Sequence, residues 1–302
     1  MNYADRLTES VRRAGNPCLV GLDPHEASLP EEFAVVRDPN APRAAKAQAC
    51  ADFLCAILEV CAGKVPAVKP QSAFFEIYGA DGALAWERVV STAKQAGLIV
   101  IGDVKRGDID TTAKAYARAF LEGSGPRDRE HLCDAITINP YLGSDSITPF
   151  LESCKAADAG IYVLVRTSNK DSKLIQDHGS PRVYEKVADS VVEWGKELIG
   201  TSGLSSVGAV VGATHPDELT ALRARMPTTP FLIPGYGAQG AGAKEIVGGF
   251  LRGGRGALVN SSRGILFASK QQAFKELHWK DAAARAIDAM ASEINAAVGF
   301  AS

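Results

Sequence analysis

The chain of 302 residues is long enough for two average domains or one large barrel, and a composition of 46% hydrophobic and 23% charged residues suits a globular protein with a sizeable core. A formal net charge of -2 argues against a nucleic-acid surface or a polybasic membrane patch, and no apolar run reaches membrane-spanning length. The six cysteines show neither CxxC spacing nor a histidine at zinc spacing, so they read as reduced, mostly buried thiols, as expected in the cytoplasm.

Residues 2–14 carry Asp5, Arg6, Glu9, Arg12 and Arg13 at helical spacing, a pattern unlike the apolar core of a signal peptide. Apolar, β-branched runs then recur at 17–23, 67–70, 98–103, 135–139, 161–165, 207–212, 231–235 and 257–260. Helical patterns lie between them at 43–61, 84–96, 111–121, 147–157, 184–198, 216–225 and 241–252. Strands alternating with helices imply right-handed βαβ units and a parallel sheet, and continuous apolar strands imply that both faces are covered. Eight such units predict an α/β chain folded as one (β/α)8 barrel domain over residues 1–302, with additional N- and C-terminal helices at 2–14 and 270–298. An open doubly wound sheet is the alternative. The connections 24–42, 123–132 and 168–182 are long for this architecture. The first and third follow strands on the face where barrels carry their chemistry, so they are candidates for covering a site.

The predicted strand ends collect the polar residues. Asp23 closes the first, Lys69 the second, Asp103 and Lys105 the third, and Asn139 the fourth. Arg166-Thr167-Ser168 closes the fifth, Ala213-Thr214-His215 the sixth, and Asn260-Ser261-Ser262-Arg263 the eighth. Asp103 and Lys105 are two apart, so on a strand they leave the same face, and Gly107 is expected to turn the chain before Asp108. Neighbouring strands would set Lys69 beside Asp103. Unit charges about 4 Å apart interact by roughly 4 kcal/mol at an effective dielectric near 20, so a Lys–Asp–Lys array is self-supporting. It also keeps Lys105 protonated, a positioned proton donor. A charge ladder that merely plugs the barrel mouth is the less economical reading, since Leu or Ile would plug it without desolvating charge.

After the seventh strand, Gly235-Tyr236-Gly237-Ala238-Gln239-Gly240 matches GxGxxG, but late in the chain and without the acidic residue a dinucleotide ribose needs. It reads better as a phosphate cradle of Gly235, Gly237 and Gly240, with Arg263 adding a charged fork. Walker A, GxSxG and HExxH motifs are absent. Among the five histidines only His25 and His215 lie near strand ends. A metal held by Asp23, Asp103 and Asp108 is opposed by Lys105 in their midst.

Taken together, Gly21-Leu22-Asp23-Pro24, Val68-Lys69-Pro70, Asp103-Val104-Lys105-Arg106-Gly107-Asp108-Ile109, residues 234–240 and Ser262-Arg263 resemble orotidine 5′-phosphate decarboxylase, in its longer bacterial branch. The resemblance implies a lyase of UMP biosynthesis that works without metal or organic cofactor. It implies that Lys105 protonates C6 of the pyrimidine as carbon dioxide leaves, within a charge array of Lys69, Asp103, Lys105 and Asp108. Asp108 would serve the neighbouring subunit's site in a homodimer, accompanied by Ile109 and Thr112. Asp23 and Lys69 would hold ribose hydroxyls, Ser168 the pyrimidine, and Gln239 and Arg263 the phosphate. Here Arg263 stands in Asn-Ser-Ser-Arg-Gly, where compact members carry Gly-Arg-Ser. The alternatives are a magnesium-dependent phosphosugar barrel of the hexulose-phosphate synthase or keto-gulonate-phosphate decarboxylase type, and a nucleotide-binding barrel without catalysis.

Overall fold

Each apolar run forms a strand: β1 Cys18–Leu22, β2 Ala67–Pro70, β3 Ile99–Arg106, β4 Ala135–Ile138, β5 Gly160–Arg166, β6 Val207–Val211, β7 Phe231–Ile233 and β8 Ala257–Ser261. The computed structural model describes residues 1–214, 216–237 and 242–300, with the backbone alone for Pro126 and Arg127. Among these residues all eight strands are parallel and close in chain order, β1 pairing with both β2 and β8. The barrel, rather than the open sheet, is therefore the architecture.

The strands read as uninterrupted apolar runs because each is buried on two sides. Alternate residues such as Val20, Val68, Val100, Ile136 and Val259 face the surrounding helices. Their neighbours Leu19, Ala67, Ile99, Ile101, Ala135, Val210, Leu232 and Leu258 fill the barrel interior. The helices follow the predicted order: α1 Tyr3–Ala14, α2 Arg43–Cys61, α3 Gly79–Gln95, α4 Asp110–Ala117, α5 Ser144–Ala157, α6 Val183–Gly195, α7 Pro216–Arg225 and α8 Trp279–Val298. Helix α2 buries Ala47, Cys50, Phe53, Leu54, Ile57 and Leu58, which explains its near-absence of charge after the first turn.

Helix α1 seals one end of the barrel. Asn2 caps it by accepting from the amide of Asp5, and Gly15, at φ 68°, ends it in the left-handed conformation that glycine accepts most easily. Tyr3 and Leu7 on its inner face join the interior layer. The fully buried Tyr3 hydroxyl donates to that of Tyr162 at 3.0 Å, with the rings edge to face. A side chain at Gly160 would collide with the Tyr3 ring at 2.3 Å, so β5 must begin on glycine.

Three expectations are corrected. The C-terminal helix begins at Trp279, not residue 270: Gln271 leaves a short 3-10 turn in extended conformation, and His278 caps the true start. The predicted helix 241–252 is one α-turn, Ala243–Ile246, followed by a 3-10 turn, Val247–Gly249; the glycines of Val-Gly-Gly do not sustain an α-helix. The connection 24–42 winds into 3-10 turns, Glu26–Ser28 and Glu31–Arg37, that pack outside the barrel mouth, where Glu32 accepts from the Trp279 indole at 2.7 Å. Among the described residues no helix is long and apolar enough to cross a membrane.

Candidate active site

A cavity of about 1030 Å³ opens at the C-terminal ends of the strands, lined by Asp23, Lys69, Asp103, Lys105, Ser168 and Asn260 among others. Its apolar floor includes Leu164, Val210 and Leu232. The strand-end residues converge because every strand runs the same way, as the barrel reading predicts.

Asp103 organises the polar side. Its Oδ2 accepts from Lys69 Nζ at 2.6 Å and from Gln71 Nε2 at 3.1 Å. Its Oδ1 accepts from Lys105 Nζ at 2.5 Å and from Thr137 Oγ1 at 2.9 Å. Burial opposes the charge of Asp103, yet Lys69 and Lys105 outweigh it and hold the carboxyl well below its usual range. Burial likewise works against Lys69, but Asp103 and then Asp23 raise it above an ordinary lysine. The three charges differ in exposure: the Lys69 and Asp103 side chains are 7% and 10% accessible, that of Lys105 47%. Lys105 is thus the member of the array most open to a ligand in the cavity.

The side-by-side placement of Asp103 and Lys105 does not come from a regular strand. Gly102 pairs with Ile136 and Arg106 with Ile138, so three residues of β3 face the single Thr137 of β4. Within this bulge Lys105 takes φ 45°, in the left-handed region. Gly107 is not the turning residue; the left-handed conformations fall to Lys105 and Asp110. Glycine at 107 instead eases a close approach, since a side chain there would sit 3.0 Å from the Asn139 carbonyl.

Asp108, Ile109 and Thr112 stand apart from the array. The Asp108 carboxylate accepts from the amide of Ile109, and Ile109 and Thr112 are exposed at the start of α4. Asp23 does reach the cavity, where its buried Oδ1 has no partner among the described residues.

The connection 168–182 covers one side, with Ser168, Asn169, Leu174, Ile175 and Gln176 facing the cavity. Arg166 points the other way. Fully buried, it pairs with Glu218 of α7 at 2.7 Å and Asp177 at 2.7 Å, and stacks on Tyr184, so it anchors the far end of that connection. Gln176 reinforces the anchor by accepting from the Thr167 amide and donating to its hydroxyl.

After β7, Gly235 and Gly237 lie at φ 100° and 71°, conformations that favour glycine. Gln239, Gly240 and His215 lie outside the described residues. Arg263 is exposed at the head of a short turn, Arg263–Leu266, beyond the cavity lining. His25 packs edge-on to Phe74 rather than lining the cavity. Burial pushes Cys18, Cys61 and Cys133 up to about 12, so these thiols stay protonated and inert. Among the described residues no group of three His, Cys, Asp or Glu is arranged to hold a metal.

Gln71 and Thr137 escape a reading confined to strand ends. Gln71 lies just past β2, opposite Asp103. Thr137 sits within β4, and its signal is a polar residue at the inward phase of Ala-Ile-Thr-Ile.

Residues 17–277 match the family model described as orotidine 5′-phosphate decarboxylase / HUMPS family. A curated orotidine 5′-phosphate decarboxylase of Rhodopirellula baltica is 43% identical over 290 residues, covering 93% of this chain and 95% of that one. One from Clostridium acetobutylicum is 39% identical over 293 residues, covering 96% and 98%. The solved OMP decarboxylase of Leishmania donovani superposes with a TM-score of 0.76 at 34% identity, covering 99% of this chain and 100% of that one. By motif, fold and full-length similarity alike, the chain belongs to the orotidine 5′-phosphate decarboxylase / HUMPS family.

Proposed function

We propose that this protein converts orotidine 5′-phosphate to UMP and carbon dioxide. The observation that carries the reading is Asp103 fixed between two lysines, with Lys105 the most exposed of the three to the cavity. Loss of carbon dioxide from C6 leaves an electron pair there. An ammonium already in place stabilises that charge as it develops, without reorganisation, and then delivers its proton. Lys69, Asp103, Lys105 and Asp108 are the charged set, with Lys105 the acid. No metal or organic cofactor enters this scheme.

Asp23, with its unpartnered buried oxygen, and Lys69 would bind the ribose hydroxyls. Ser168 would meet the pyrimidine over the floor of Leu164, Val210 and Leu232. Gly235, Gly237 and Gly240, with Gln239 and Arg263, would hold the phosphate. Binding energy from that remote group can drive closure of 168–182 and exclusion of water. Arg263, now outside the cavity lining, would have to swing inward on binding.

A homodimer is part of the proposal. Asp108 leaves its own array, and exposed apolar residues cluster on the same flank of the barrel: Ile77 after β2, Ile109 after β3, and Tyr141 and Leu142 after β4. Pairing on that flank would carry Asp108, Ile109 and Thr112 to the partner's cavity. The deciding experiment is ultraviolet monitoring of orotidine 5′-phosphate in the presence of chelator. The wild type should consume it at an undiminished rate. Lys105→Ala should fold, bind UMP and lose turnover by about a hundredfold to ten-thousandfold or more. Near-normal turnover in that variant would overturn the assignment.

A further inference from the structure

The bulge in β3 leaves the lysine that ends it dependent on one hydroxyl. Three residues of β3 face Thr137 alone, and Lys105 adopts φ 45° there, a conformation a non-glycine residue keeps only when its surroundings hold it. The Lys105 amide leaves the regular ladder and donates to Thr137 Oγ1 at 3.0 Å. An amide can only donate, so the hydroxyl's single proton is free for another acceptor. It goes to Asp103 Oδ1 at 2.9 Å, the same oxygen that receives Lys105 Nζ at 2.5 Å. Lys105 is therefore held at both ends, backbone and ammonium, through one hydroxyl and one carboxylate oxygen. Thr137 itself is 1% exposed and barely moves the boundary of the cavity.

We propose that Thr137 is a positioning residue that sets the direction of the Lys105 ammonium by fixing the β3 bulge and one oxygen of Asp103. The inference rests on the reading of Lys105 as the proton donor. Thr137 needs no contact with substrate; it acts through Lys105 and Asp103. Its effect should fall on the chemical step rather than on ligand affinity, because the phosphate and ribose groups lie elsewhere in the site.

Thr137→Val keeps the shape of the side chain and removes both hydrogen bonds. It should lower kcat by about tenfold to a hundredfold, while the Kd for UMP changes by less than about threefold. Thr137→Ser keeps the hydroxyl and should restore kcat to within about threefold of the wild type. A substrate-free readout accompanies these: hydrogen exchange at the Lys105 amide should be slow in the wild type and in Thr137→Ser, and fast in Thr137→Val. A Val variant with wild-type kcat overturns the proposal, as does a Val variant that weakens UMP binding in proportion to kcat. Should Thr137→Val not fold, rapid exchange of the wild-type Lys105 amide, or a folded Ser variant without activity, would overturn it equally. Absence of turnover in the wild type would instead sink the decarboxylase reading, and the exchange comparison would still decide whether Thr137 holds Lys105.

Discussion

Asp103 has no lone pair to spare. Four donors on two oxygens fix its position and its ionisation, and this makes it a fulcrum for the lysines rather than a base. The pH dependence of stability follows. The folded carboxyl is held below its ordinary value of 3.8, so its contribution is complete above that value and is lost as pH falls toward the folded one. Lys69 is held above 10.5, so its share is complete below 10.5 and is lost only as pH rises past the folded value. Asp103→Asn should therefore be much less stable than the wild type near neutrality, because two lysines lose their counter-charge, and the gap should narrow on acidification. Urea midpoints from about pH 7 down to about pH 3 measure it; a gap that stays constant across that range would refute the mechanism.

At the scale of elements, the strands were legible because burial on both sides leaves continuous apolar runs flanked by charge. The start of α8 was not, since Gln271 to His278 are ordinary helix formers, and tertiary packing around Phe267 and Trp279 overrides their preference. The Asp103–Lys105 proximity was read correctly from spacing but for the wrong local geometry. A bulge depends on the register between β3 and β4, which no property of β3 alone encodes. Thr137 was missed for the same reason: its partners come from the neighbouring strand. The seal at the other end supplies an element-level test. Tyr3→Ala should cost about 3–5 kcal/mol by opening a cavity under the interior layer, and Tyr3→Phe only about 1 kcal/mol through the lost bond to Tyr162. Denaturant titration distinguishes the two; equal losses would mean that the hydroxyl pair, not the packing, holds α1 in place.

At the scale of the whole molecule, the separation of Asp108 from its own array is what a shared site predicts. Mixed Lys105→Ala and Asp108→Ala chains should regain activity, since each heterodimer would contain one site with both groups intact. Recovery on co-refolding, measured against each variant alone, checks this; heterodimers that form yet stay inactive would show that Asp108 serves its own chain. The motifs that carried the resemblance span β1 to β8, and the full-length similarity to curated relatives spans them too.

The aromatic pair beneath the interior layer has a consequence for traffic. With Tyr3 and Tyr162 closing the far end, the barrel formed by the described residues is a vessel that opens at its C-terminal mouth. A nucleotide that enters past residues 168–182 must back out the same way. Two products of unequal size then share that opening, and the larger holds it against the next arrival until it leaves. Turnover in such a vessel is bounded by how quickly the doorway clears as well as by how quickly a bond breaks.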